Sequence, residues 1–256
     1  MHLIDTHTHL FAKQFNEDRS EVIHRALEKG VQQMLLPNID SKSVQPILDL
    51  CSEFPKNCFP MIGLHPCDVK ENYLEELAII EEWLLKKEFV GFGEIGIDLY
   101  WDKSNLSIQQ DAFRRQVELA KKNQLPIAIH VRDSFNEVLA IVDELNDDNL
   151  SGVFHCFTGD EDQANHIINY GGFKLGIGGI VTFKNSGLNK TLSTISIEHL
   201  ILETDSPYLA PTPFRGKRNE SSYVVLVAEK LAKIYGKSVE EIAEITTQNA
   251  KDLFKI

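Results

Sequence analysis

Cysteines and long apolar runs are scarce in this sequence. Its 256 residues include only four cysteines, far too few for a disulfide scaffold, so we expect reduced thiols that serve in packing. No apolar run approaches the roughly 18 residues of a membrane span. The N-terminus also lacks the basic segment, apolar core and cleavage site of a secretory signal. The sequence therefore predicts a soluble, cytoplasmic protein with no membrane partner.

Positive charge is also in short supply. Lys and Arg number 26 against 38 Asp and Glu, which gives a formal net charge of −12. This balance argues against a broad basic surface that grips nucleic acid over many base pairs. Any polyanionic substrate would have to be held locally, by a metal or by a small basic loop.

Eight short apolar runs alternate with helical patterns along the chain. The runs cover residues 3–7, 31–36, 59–64, 89–93, 127–131, 153–157, 173–177 and 199–202. The helical patterns cover residues 16–30, 43–53, 73–87, 107–123, 134–145, 162–170 and 188–195, with two further helices between residues 224 and 254. The pattern is typical of strands that are each followed by a helix.

Strands and helices that alternate over about 250 residues predict an α/β fold, a TIM (β/α)8 barrel. We expect residues 1–256 to form a single TIM-barrel domain with extra C-terminal helices. The alternative is an open, doubly wound sheet. That fold is less favoured because its G-x-G-x-x-G motif is missing after the first strand, where His7-Thr8-His9 stands instead.

Three helix starts carry the pattern of a capping box, in which a serine and a Glu or Gln three residues later satisfy each other's backbone amides. The pairs are Ser107 with Gln110, Ser134 with Glu137, and Ser238 with Glu241. These pairs predict where the corresponding helices begin.

Histidines and acidic residues occur where several of the predicted strands end. His7 and His9 would point the same way if the first run is a strand. Each polar residue taken singly has an ordinary structural explanation, such as a helix cap, a core histidine or an ion pair. Together at one barrel mouth they would desolvate and repel one another without a cation. The set comprises His7, His9, Glu94, Asp98, His130, Arg132, His155, Glu203 and Asp205.

Four histidines and two carboxylates exceed the ligands of one tetrahedral zinc. Two metals about 3.5 to 4 Å apart are common in phosphoesterases. A carboxylate is the natural bridge because it offers one oxygen to each ion. Glu94 is the candidate, since it would lie between the histidine pair of the first strand and those of the fifth and sixth.

Six motifs in chain order resemble those of the TatD-type metal-dependent deoxyribonucleases of the amidohydrolase superfamily. They are HTHL at 7–10, GLHP at 63–66, GEIGID at 93–98, IHVR at 129–132, HCFTG at 155–159 and ETDSP at 203–207. The later stretches RGKRN at 215–219 and TQNA at 247–250 also fit. The resemblance extends from residue 4 to residue 254.

The resemblance implies a two-metal TIM barrel that hydrolyses phosphodiesters, typically a Mg-, Mn- or Zn-dependent DNase that often works 3′ to 5′ on single strands. Carried over by position, the first metal would bind His7, His9, Glu94 and Asp205. The second would bind Glu94, His130 and His155. Ser221 and Ser222 depart from the family, whose members often have proline followed by a small residue there, so the shape of that loop is less certain.

Mechanistic roles for other residues follow from their chemistry. Asp205 is the predicted general base for the attacking water, and Glu203 would assist proton transfer or orient a ligand. Arg132 can present a bidentate fork to phosphate oxygens, with an ion pair to a nearby acid as the alternative. His65, after the third strand but opposite no obvious metal position, is predicted to contact the substrate phosphate or the leaving group.

The loop after the fourth strand allows two interpretations. Asp98 and Tyr100 would hold the loop around Glu94. Equally, Tyr100 and Trp101 would form a stacking surface for a base. The sequence leaves both open.

A basic cluster follows the eighth strand, where barrels often bind phosphate. Its members are Arg215, Lys217 and Arg218. With two cations, this rim would hold a few nucleotides of single-stranded DNA, although a solvated loop would show the same pattern. We expect a monomer by default.

Two rival functions remain at this point. An amide or lactone hydrolase of the same superfamily would often bridge its metals with a carbamylated lysine on the fourth strand, but no lysine occurs between residues 89 and 102. A non-catalytic barrel would have no need for the full set of ligands. Both rivals are therefore less favoured than a phosphodiesterase.

Overall fold

Eight parallel strands form one sheet in chain order in the computed structural model, which describes residues 1–256. Thr6 N donates to Leu202 O at 3.0 Å, and Thr8 forms a parallel bridge with Ser206, so the first strand joins the last. The fold is the predicted TIM barrel, and the open-sheet alternative is wrong. The strands are β1 (Leu3–Asp5), β2 (Val31–Leu36), β3 (Cys58–Ile62), β4 (Gly91–Asp98), β5 (Ile127–Arg132), β6 (Gly152–Phe154), β7 (Phe173–Ile177) and β8 (Leu200–Leu202).

Helices connect the strands and surround the sheet. None of them has the length and apolar character needed to cross a lipid bilayer. The predicted C-terminal pair is present as α8 and α9. The helices are α1 (Arg19–Glu28), α2 (Val44–Glu53), α3 (Tyr73–Leu84), α4 (Leu106–Asn123), α5 (Phe135–Leu145), α6 (Glu161–Asn169), α7 (Leu188–Leu192), α8 (Val224–Tyr235) and α9 (Val239–Phe254).

Strand β4 is longer than predicted, because it continues past Gly93 to Asp98 with every residue buried. Its later residues pair with β5, so that Gly96 lies opposite His130 and Asp98 lies opposite Arg132. Gly96 has a φ of +143°, and a Cβ there would overlap the carbonyl oxygen of His130. Only glycine therefore allows the two backbones to approach this closely.

The predicted capping boxes are confirmed in one case of three. Ser238 and Glu241 form a capping box at the start of α9. Ser107 is wrong, because α4 begins at Leu106. Ser134 is the N-cap residue of α5, as predicted, but its hydroxyl donates to Ile97 O of β4 at 2.6 Å and forms no capping box with Glu137. A capping box that the sequence reasoning missed, Asp160 with Gln163, starts α6.

The amino end of the barrel is closed by α9. Thr247 Oγ1 donates to His2 O, and Asn249 Nδ2 donates to Leu200 O, so α9 is fixed to the starts of β1 and β8. A cluster of nine buried apolar residues fills this end: Ile4, Leu35, Met61, Ala128, Val153, Ile201, Ala250, Leu253 and Phe254. A larger apolar layer lies between the sheet and the outer helices. The carboxyl end of the barrel is the end left for polar side chains.

Candidate metal centre

Six predicted ligands meet at the carboxyl end of the barrel. His7 and His9 lie just beyond β1, which ends at Asp5 rather than at His7 as predicted. Even so, their rings lie 5.1 Å apart and face the same centre. The other four come from β4, from β5 and from the residues just after β6 and β8: Glu94, His130, His155 and Asp205.

Glu94 occupies the middle of this group, with its two carboxylate oxygens facing different histidines. Oε2 lies 3.1 Å from His7 Nε2 and 3.6 Å from His9 Nε2. Oε1 lies 2.6 Å from His130 Nδ1 and 3.8 Å from His155 Nε2. One carboxylate thus faces two separate sets of nitrogen atoms.

Asp205 approaches the same centre from the opposite side of the barrel. Its Oδ1 lies 3.4 Å from His9 Nε2, 3.8 Å from His155 Nε2 and 4.0 Å from His7 Nε2. The backbone N–H of Asp205 donates to His7 O at 2.9 Å, which fixes the carboxylate relative to the first strand. Unlike Glu94, Asp205 keeps 15% of its side chain exposed, towards the cavity.

The carboxylates make this centre attractive to positive charge. Burial alone would lower the pKa of His9 and His130, but neighbouring carboxylates raise the pKa of each to about 9. Burial is likewise overcome at His155, whose pKa Glu203 and Glu94 raise to about 10. Burial would raise the pKa of Glu94, but the surrounding imidazoles hold it well below its usual value. A divalent cation would balance the negative charge of the same carboxylates.

The donor set fits a metal centre. His7 and His155 stack face to face with ring centroids 3.4 Å apart, and the buried Nδ1 atoms of His7 and His9 have no hydrogen-bond partner. Imidazole nitrogens and carboxylate oxygens are the ligands that zinc and related divalent metals prefer. Two sets of donor atoms that share Glu94, one with His7 and His9 and one with His65 and His130, each lie within 4.8 Å of one another.

Glu203 lies behind His155, away from the cavity. Its Oε1 is 3.0 Å from His155 Nδ1 and accepts a hydrogen bond from Cys156 N, and the side chain is fully buried. A methyl group at Gly176 would overlap Oε2 of this carboxylate. Of the two predicted roles, this position favours orienting a ligand over transferring a proton.

His65 lies closer to the centre than predicted. Its Nε2 is 3.6 Å from Glu94 Oε1, whereas its Nδ1 accepts from Cys67 N at 3.1 Å. Because Nδ1 is an acceptor, a neutral ring carries its proton on Nε2, which points into the site. The expectation that His65 faces no metal position is wrong, but a donor at Nε2 agrees with the predicted contact to substrate.

Asp98 links one ligand to the loop after β4. Its Oδ2 lies 2.9 Å from His130 Nε2, while its Oδ1 accepts from the backbone N–H groups of Tyr100 at 3.0 Å and Trp101 at 3.3 Å. Burial would raise the pKa of Asp98, but its contacts with His130 lower it to about 2. Asp98 therefore remains an anion that positions both the imidazole and the loop.

The three basic residues after β8 divide into two groups. Arg215 and Lys217 line the cavity above the histidines. Arg218 does not, because its guanidinium binds both carboxylate oxygens of Asp18 at 2.8 and 2.6 Å, and also Gln14 O. Because Asp18 neutralises its charge outside the cavity, Arg218 is not brought to the cavity wall, and its contact with substrate stays a prediction.

A buried polar network beneath the ligands was not predicted. Asp5 accepts from Thr204 N at 2.9 Å and from Thr204 Oγ1 at 2.7 Å. Thr8 Oγ1 lies 2.6 Å from Ser206 Oγ and accepts from Ser221 Oγ at 3.2 Å. Burial raises the pKa of Asp5 to about 7. An acid directly after the apolar pair Leu3-Ile4, before the predicted end of the first strand, was the sequence signal that could have revealed this network.

The cavity above the ligands has a volume of about 980 Å³. Its walls combine the ligands with basic and aromatic side chains, among them Arg132, Arg215, Trp101 and Tyr208. A second cavity of about 460 Å³ adjoins it and shares Arg132 and Thr158.

The chain is similar over nearly its whole length to proteins of one family. The family model described as TatD related DNase matches residues 4–255. The uncharacterized metal-dependent hydrolase YabD of Bacillus subtilis is 42% identical over 255 residues, which cover 99% of each chain. The 3′-5′ ssDNA/RNA exonuclease TatD of Salmonella typhimurium is 33% identical, again over 99% of each. The crystal structure of YJJV, a TatD homolog from Escherichia coli, superimposes with a TM-score of 0.93 at 26% identity, and covers 99% of this chain and 98% of the other.

Proposed function

The chain belongs to the family of TatD-related DNases and is a metal-dependent hydrolase, and from that premise we propose that it is a deoxyribonuclease. Its substrate is single-stranded DNA, which it degrades as a 3′–5′ exonuclease. The observation that carries the proposal is the position of the Glu94 carboxylate, whose two oxygens face two different sets of histidines. A relative that is named a 3′-5′ ssDNA/RNA exonuclease supports it.

Two divalent ions, Mg, Mn or Zn, would occupy the centre. His7, His9, Glu94 and Asp205 would hold one ion, and Glu94, His130 and His155 would hold the other. When bound, such a pair polarises a phosphoryl oxygen and makes a water molecule more acidic. Glu203 would orient His155 from behind, and Asp98 would orient His130.

The protein's own groups would manage the protons of the reaction. The water oxygen forms the new bond to phosphorus, and the bond from phosphorus to the 3′ oxygen of the preceding nucleotide breaks. Asp205, an anion that faces the cavity, accepts the proton of the attacking water. His65 Nε2 is placed to donate a hydrogen bond to the leaving oxygen, which takes its proton from solvent. The products are a nucleoside 5′-monophosphate and a shortened strand.

Local positive charge would hold the strand without a basic surface. Arg132, Arg215 and Lys217 line the cavity of a chain whose net charge is −12. A few contacts of this kind suit a short stretch of single strand better than a long duplex. We also propose that residues 1–256 work as one domain and that the protein acts as a monomer.

The test is digestion of 3′- and 5′-labelled single-stranded DNA and RNA with Mg, Mn or Zn added. A ladder that shortens from the 3′ end, and that Glu94→Gln abolishes, supports the proposal. Bis-(p-nitrophenyl) phosphate serves as a minimal diester beside a panel of carboxylic esters and amides. Activity on esters or amides alone would refute the nuclease and favour the rival hydrolase.

A further inference from the structure

Exposed apolar side chains are concentrated at the mouth of the barrel. Of eight large hydrophobic residues with exposed side chains, four follow β4 or β8: Tyr100, Trp101, Tyr208 and Leu209. Trp101 is 71% exposed and Tyr100 is 54% exposed, although they are adjacent to the buried end of β4. Water contact with two neighbouring aromatic rings is unfavourable unless a ligand covers them.

A cation lies directly against these two rings. The guanidinium carbon of Arg132 is 3.9 Å from the ring centroid of Tyr100 and 5.4 Å from that of Trp101. The rings themselves meet edge to face at 4.9 Å. Arg132 and Trp101 both line the large cavity. An aromatic face and a phosphate-binding fork thus stand side by side, as the base and phosphate of one nucleotide do.

The aromatic pair is fixed relative to the reacting centre. Asp98 accepts from the backbone N–H groups of Tyr100 and Trp101 through one oxygen and contacts His130 through the other. The same carboxylate therefore positions the rings and a proposed metal ligand. A base on the rings would be held at a set distance from the bond that is cut.

We propose that Tyr100, Trp101 and Arg132 form a subsite for one unpaired nucleobase and its adjoining phosphate. The subsite rests on the proposed nuclease function, and it gives that function a basis for preferring single strands. A base in a duplex is already stacked between its neighbours and has no free face to offer. Stacking on an aromatic ring tolerates any of the four bases, so the subsite selects strandedness rather than sequence.

The first experiment measures hydrolysis by Trp101→Ala. We expect kcat/KM for a single-stranded oligonucleotide to fall about 5- to 100-fold, mainly through KM. Trp101→Phe should restore most of the loss. For the wild type, oligonucleotides with one abasic position near the 3′ end should show a similar loss at a single position, and Trp101→Ala should add little to it.

Tyr208→Ala is the matched control, because Tyr208 is also half exposed and follows β8, on the opposite side of the barrel from β4. It should leave the difference between normal and abasic substrates intact. The proposal is overturned if Trp101→Ala affects normal and abasic substrates equally, or if Tyr208→Ala alone removes the difference.

A binding experiment tests the subsite without catalysis. The chain has two tryptophans, so Trp83→Phe leaves Trp101 as the single indole fluorophore. In a Glu94→Gln background, single-stranded oligonucleotide should quench this fluorescence, whereas the duplex and an oligonucleotide of abasic sites should not. If filter retention detects bound oligonucleotide but Trp101 fluorescence is not quenched, the subsite is refuted. Quenching without hydrolysis of any diester by the Trp83→Phe protein would refute the nuclease and leave the subsite.

Discussion

The two ends of the barrel are equally buried but chemically opposite. At the amino end, Phe254 and Leu253 of α9 pack on inward-facing apolar residues such as Met61. At the carboxyl end, Glu94 and His7 are buried just as deeply, at 2% and 1% exposure, yet their side chains are ionisable. Burial of carbon at one end stabilises the fold. Burial of carboxylates and imidazoles at the other costs stability and concentrates reactivity.

The same strands supply both ends. Ala128 and His130 are two residues apart on β5, and Val153 and His155 are similarly spaced at β6. Side chains two apart in a strand share a face, so on each of these strands an apolar side chain at the amino end is followed by an imidazole at the carboxyl end. The barrel thus separates stability from function along its axis, and four predictions test that separation.

The largest effect is expected at the polar end. Glu94→Gln keeps the shape of the side chain but removes the charge that faces both histidine sets, so activity should fall by about a thousandfold or more, because metal assistance amounts to several kcal/mol. The melting temperature should hold or rise. The measurements are diester hydrolysis, metal content and thermal denaturation. Retention of a tenth of the activity with two ions bound would contradict the bridging role.

The opposite result is expected at the apolar end. Phe254→Ala should lower the free energy of unfolding by about 3–5 kcal/mol, because it leaves a cavity under the barrel. Activity per folded molecule should not change. Denaturant titration checks the first statement, and Asp252→Ala, on the exposed face of α9, is the control. Loss of activity in the folded Phe254→Ala protein would mean that the two ends are not independent.

An intermediate result is expected for the network between the ends. Asp5→Asn leaves Thr204 with poorer acceptors, so the free energy of unfolding should fall by about 1–3 kcal/mol. Because His7 N also approaches Asp5 Oδ1, at 3.4 Å, activity should fall as well, by about tenfold. Urea denaturation and diester kinetics on one preparation check both. A loss of stability with unchanged activity would mean that Asp5, like the apolar end, contributes to stability only.

The smallest effects should separate two neighbouring arginines. Arg215→Ala should raise KM for single-stranded DNA and reduce the slope of log affinity against log salt by about 0.7, the value for one phosphate contact. Arg218→Ala should leave both unchanged and cost less than about 1 kcal/mol of stability, because its partner Asp18 lies at the surface. Salt-dependent binding assays compare the two. An equal reduction of the salt slope in Arg218→Ala would show that Arg218 contacts the substrate phosphate.

Sequence patterns were sufficient to predict the fold and to predict that the candidate ligands lie close together at one end of the barrel. Apolar runs followed by His130, His155 and Asp205 predict strand ends, and a barrel brings strand ends together. The patterns do not show contacts between distant segments. Nothing local to Arg218 reveals that Asp18, 200 positions away, neutralises it. Likewise, Ser134 has the pattern of a capping box, but the carbonyl of Ile97 on a neighbouring strand binds its hydroxyl instead.

The joining of β1 to β8 has a consequence for the order of events during synthesis. The donors proposed for the first ion, His7 and His9 at one end of the chain and Asp205 near the other, come together only where Thr8 meets Ser206. Because a ribosome adds about 5–20 residues per second, His7 is synthesised many seconds before Asp205. Binding of that ion would therefore belong to the final stage of folding, when the last strand pairs with the first.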